Sequence, residues 1–182
     1  MRLALSGLLL ALSLLPACGG GDSNEPEDPF PEAAGVYQVS GSFDGIPSNI
    51  GSFGGTLEIT QASRSSGTLQ GSAAILATID GNVFNVNDPV LDGANVSPAG
   101  VLSFTMADNS GTWTFTGTLS GNSVSGGRHT LSAGSESISG NWQGSLAAAA
   151  RVSAADEPLA RSEHSIGLMA RLVLRKSVTA RK

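Results

Sequence analysis

Through much of residues 35–146 an apolar residue or glycine stands at every second position, with Ser, Thr, Asn or Gln between. Successive side chains of an extended chain point to opposite faces, so this pattern makes strands with one face for a core and one for water. Wound as a helix, the same residues would scatter their apolar groups around the axis. The clearest run sets Trp113, Phe115, Gly117 and Leu119 on one face and Thr112, Thr114, Thr116 and Thr118 on the other. Ile138, Gly140, Trp142, Gly144 and Leu146 repeat it against Ser137, Ser139, Asn141, Gln143 and Ser145. Tyr37, Val39, Gly41 and Phe43 form another such row, and Leu69 to Ile79 the longest.

Runs near 35–43, 53–60, 67–79, 83–86, 90–96, 100–106, 111–119, 122–131 and 136–146 give eight or nine short strands. Asp80-Gly81 and Gly121-Asn122 read as hairpin turns. The expectation is an all-β domain over 35–146, an up-and-down meander β-barrel, with a β-sandwich as the alternative. The glycine-spaced hairpins from Gly111 to Leu146 resemble small bacterial barrels of the lipocalin and avidin kind. That likeness is one of shape: Gly35-Val36-Tyr37 lacks the tryptophan of the lipocalin G-x-W opening.

The ends of the chain read differently. Met1 and Arg2 precede a thirteen-residue apolar run, Leu3 to Leu15, and then Pro16, Ala17 and Cys18. The run suits a secretory signal peptide and is shorter than the ~18 apolar residues expected of a spanning helix. Leu15-Pro16-Ala17-Cys18 resembles the lipobox of bacterial lipoproteins. The resemblance implies removal of residues 1–17, a diacylglyceryl thioether on Cys18 and a mature protein anchored without spanning. Gly19 after the cysteine implies passage to the outer membrane in a didermal host. Cys18 is the only cysteine, so no intramolecular disulfide forms. Residues 18–34, rich in Gly, acids and Pro, read as a flexible tether.

Residues 147–182 form a basic tail whose reading stays open between helix, strand and disorder. Ile166, Met169, Ala170 and Val173 would share one helical face, Pro158 could start the helix and the basic end suits its dipole, which favours a short helix.

Charge and motifs narrow the function. Residues 19–150 carry twelve acids against Arg64 and Arg128, an unsuitable surface for nucleic acid. No nucleophile elbow, zinc-protease helix or phosphate-binding loop occurs, and of two histidines His129 is expected on a strand rim beside Arg128. The Asp- and Asn-rich stretch 80–92 lacks calcium-loop spacing and reads as turns. No catalytic residue, metal ligand or cofactor is therefore assigned. The expected function is a lipid-anchored envelope protein with a non-enzymatic structural or partner-binding role. Its partners would be the membrane, through the anchor, and an envelope protein. The alternative is a carrier of a small apolar ligand lined by Tyr37, Phe104, Trp113, Phe115 and Trp142.

Overall fold

The structure, a computed structural model, describes residues 29–88, 90–147 and 166–179. Nine strands follow one another: β1 Gly35–Phe43, β2 Gly51–Thr60, β3 Gln70–Ile79, β4 Asn82–Asp88 and β5 Asp92–Val96, then β6 Val101–Asp108, β7 Gly111–Ser120, β8 Ser123–Ala133 and β9 Glu136–Leu146. Helix α1, Ile166–Thr179, comes last. All nine strands join one antiparallel sheet in the order β4-β3-β2-β1-β9-β8-β7-β6-β5. A sandwich would need two sheets. This is one up-and-down sheet curled into a partly closed barrel.

Short turns enforce the meander. Asp80 and Gly81 have φ of 51° and 76°, the left-handed pair that a two-residue hairpin needs to match strand twist. Aspartate is among the few residues with a side chain that enter that region with some ease, and glycine enters it freely.

The curl brings β5 back beside the start of β3. Residues 67–71, at and before the start of β3, bond to β5 and the residue before it: Leu69 N–H donates to Ala94 O (2.9 Å), Val96 N–H to Gly67 O (2.8 Å) and Leu91 N–H to Gly71 O (3.0 Å). β4 and β5 thus lie in succession beside β3, and only β5 also pairs with β6. Above that junction a seam separates β4 from β6. At its base the Asp88 carboxylate accepts from Val90 N–H (3.1 Å) and, across the gap, from Ala107 N–H (3.2 Å). A side chain here does what a ladder bond does elsewhere.

Inward residues fill the interior. Leu57, Ala77, Ile79, Leu102, Met106, Trp113 and Leu131 have no accessible surface, and α1 adds Ile166, Met169, Ala170 and Val173. That set is the helical face expected for the tail, while Pro158 lies outside the described residues. The helix crosses one end of the barrel. Its first N–H, on Ile166, donates to Asp108 Oδ2 (2.6 Å) at the β6–β7 turn, and Lys176 pairs with Asp80 (2.5 Å) at the β3–β4 turn.

Candidate functional site

The densest group of chemically capable side chains lies inside the barrel. β6, β7 and β9 turn Phe104, Trp113, Phe115 and Trp142 inward by the alternation already described. Phe104 and Phe115 stack at 4.8 Å, Trp113 lies 4.9 Å from Phe115, and Trp142 meets Phe115 edge-on at 5.5 Å. Offset and edge-to-face contacts of this kind add to the burial of the rings themselves. Trp142 Nε1 donates to Thr116 O (2.8 Å), so its one polar atom is satisfied. Of the five residues proposed as ligand-lining, these four therefore pack on one another. Tyr37, near the start of β1, is buried in the same core and donates its hydroxyl to Ala33 O (3.0 Å). Burial, and then the nearby Glu32 carboxylate, raise its pKa above the ordinary tyrosine value.

His129 corrects the expectation of a surface or rim position: it is 1% exposed. Its neighbour Arg128 does face water, where it forms a bidentate pair with Asp44 and donates to Asn141 (2.7 Å). Adjacent strand residues point to opposite faces, so Arg128 outside requires His129 inside. The imidazole lies 5.0 Å from Phe53 and 5.2 Å from Phe43, edge-on to both. Trp113 Nε1 donates to Nδ1 (3.0 Å), and Nε2 lies 2.9 Å from Ser42 O. An indole nitrogen only donates and a carbonyl oxygen only accepts, which fixes the neutral tautomer with its proton on Nε2. Burial lowers the pKa from 6.5 to about 4, against the opposing pull of Ser42 O and Asp44. Both nitrogens are committed, and through them this histidine links β8 to β7 and β1.

Glycines make the space these rings occupy. A Cβ on Gly140 would fall on Ser42 O and the His129 ring, and one on Gly127 would meet Trp142 Nε1 at 2.6 Å. Gly127 follows Gly126, at φ 59°, where the β8–β9 register shifts between Val124 and Gly127. That bulge places both Gly127 and His129 inward.

Two depressions lined by described residues open to the outside. One of about 490 Å³ runs past Glu58, Thr60, Gln70 and Leu91, and another of about 480 Å³ past Gln38, Ser40, Ser123 and Gln143. Neither is lined by the interior rings. Among the described residues no three His, Cys, Asp or Glu side chains cluster as metal ligands, and no helix is long and apolar enough to cross a membrane. In the stretch 80–92, Asp80 pairs with Lys176 and Asp88 stitches the seam. Cys18 lies outside the described residues.

Asp108 was not singled out by its sequence, yet it organises the helix end of the barrel. Its Oδ1 accepts from Ser110 N–H (2.8 Å), Ser110 Oγ (2.7 Å) and Gly111 N–H (2.9 Å), and Oδ2 from Ile166 N–H. Burial alone would raise its pKa; the four hydrogen bonds outweigh that and hold it below the usual carboxylate value. Asp-x-Ser-Gly is a legible turn signal, whereas the bond to a residue 58 positions away is not.

Comparison with protein-family models, curated proteins and solved structures finds no match to this chain.

Proposed function

We propose that this is a lipid-anchored protein of the bacterial cell envelope, held by Cys18 in the outer membrane, whose barrel serves a non-enzymatic structural or partner-binding role. The observation that carries the second half is the packed interior. Phe104, Trp113, Phe115, Trp142 and His129 pack their rings on one another and spend their polar atoms on each other and on backbone carbonyls, which favours recognition at the outer surface. The anchoring half rests on the Leu15-Pro16-Ala17-Cys18 motif behind its apolar leader. Several acyl chains, each methylene adding about 0.8 kcal/mol, make release from a bilayer very slow.

Mass spectrometry of the protein from its native membrane, beside Cys18→Ala, tests this reading. The expected product begins at an acylated Cys18, and the variant lacks the added mass and leaves the membrane fraction. An unmodified Cys18 or a retained leader refutes the anchor.

A further inference from the structure

Positive charge on the described surface is gathered on α1. Of the five basic side chains among the described residues, Arg64 and Arg128 belong to the barrel, whereas Arg171, Arg175 and Lys176 lie along the helix. The barrel is acidic, and residues 171–182 contain five basic residues and no acid. Ile166, Met169, Ala170 and Val173 are buried, so Leu168, Arg171, Leu172 and Arg175, spaced three and four apart, make up the outer face.

Docking on the barrel leaves this face unused. Asp80 and Asp108, the barrel acids that bond α1, hold Lys176 and the Ile166 N–H. Arg171 and Arg175 are exposed, one turn apart, and pair with no described carboxylate. Leu168, 52% exposed, stands in the same row. Leucine and arginine side by side on one exposed helix face suit an anionic bilayer, which takes apolar groups at the acyl boundary and cations at the phosphates.

We propose that the outer face of α1 seats on the phosphate headgroups of an anionic membrane, the one to which Cys18 tethers the chain. This rests on the anchor inferred above, which keeps that bilayer within reach. α1 crosses the barrel end where β1 finishes, and the chain enters at the end where β1 begins. Ten residues, 19–28, separate Cys18 from the first described residue and span at most about 36 Å, long enough for the barrel to lie along the surface with both ends on it. A guanidinium meets two phosphate oxygens at once, and arginine stands at both exposed cationic positions of the face. The helix is a ridge across the barrel end, which a flat lipid surface meets without a pocket, whereas an acidic protein needs a groove shaped to it. Two arginines and their neighbouring leucines bind weakly by themselves, and tethering through Cys18 strengthens that contact by making it intramolecular.

Fluorescence of the acylated protein carrying Leu168→Trp, in vesicles of acyl-brominated phosphatidylcholine with or without phosphatidylglycerol, tests this. Bromines quench an indole in contact with the bilayer and leave Trp113 and Trp142, buried in the barrel, unquenched. The expected result is quenching in the vesicles with phosphatidylglycerol. It should fall several-fold in phosphatidylcholine alone, at high salt, and when Arg171→Glu and Arg175→Glu are added, with circular dichroism and melting temperature unchanged. Equal quenching in the charge-reversed protein, or none with phosphatidylglycerol, overturns the proposal, and the second outcome leaves the face to an acidic protein. Mass spectrometry of the same sample separates this from the anchor: a protein without acyl chains refutes the anchor, and the same comparison with vesicles added to that protein still decides for or against the face.

Discussion

His129 is a side chain whose protonation the fold opposes twice. Burial removes the water that would solvate an imidazolium, and a proton on Nδ1 would point at the Trp113 N–H. Because the folded pKa lies near 4 and the free side chain's near 6.5, the unfolded chain takes up the proton first as pH falls. The stabilisation is complete above about pH 6.5, declines between 6.5 and 4, and is gone below. The difference corresponds to about 3 kcal/mol. Denaturant melts from pH 7.5 to 4 should show this loss in the wild type, and His129→Leu, though less stable at pH 7, should be flatter over the same window. Equal slopes in the two proteins would mean that His129 does not titrate with unfolding. The glycines allow an equally local test on one strand. Gly140→Ala puts a methyl onto backbone Ser42 O and the imidazole and should cost more than about 3 kcal/mol, as overpacking against backbone does. Gly144→Ala meets Trp142, Val39 and Val124 at 3.5–3.7 Å, ordinary contact, and should be neutral or slightly stabilising. Thermal melts that rank the two alike would contradict the packing described.

The helix is the element with the least local reason to exist. Fourteen residues are marginal as an isolated helix in water, so α1 depends on burying Ile166, Met169, Ala170 and Val173 in the barrel end. Asp108 supplies a side-chain acceptor for the first N–H of the helix. Asp108→Ala should cost about 1–2 kcal/mol, the value of a helix cap, and speed amide exchange in residues 166–170 before exchange in β7 or β8. Uniform loss of protection across the barrel would place Asp108 in the global fold instead. The Lys176–Asp80 pair at the other end is partly exposed, so its removal should matter much less.

At the scale of the molecule, the packed interior has a direct readout. Both tryptophans are buried, so their fluorescence should resist a soluble quencher until the protein unfolds. Small apolar ligands should leave the melting temperature unchanged, since a ligand that binds the folded state raises it by mass action. A saturable rise with an aliphatic or aromatic ligand would return the barrel to the class of carriers.

The strands, their inward faces and the apolar face of α1 were legible in the sequence because they depend on periodicity, a property of neighbours. Parity held the clue to His129 as well: it shares a face with Leu131 and Ala133, while Arg128 beside it suggested the rim. The extent of β3 was misjudged at its start, because residues 67–69 leave β2 to bond with β5. Nothing local signals that choice. The seam at Asp88 and the capping of α1 by Asp108 belong to the tertiary structure alone, since each joins residues that only the curl of the whole sheet brings into reach. Alternation decides which face is wet, and closure decides which backbone groups find a partner.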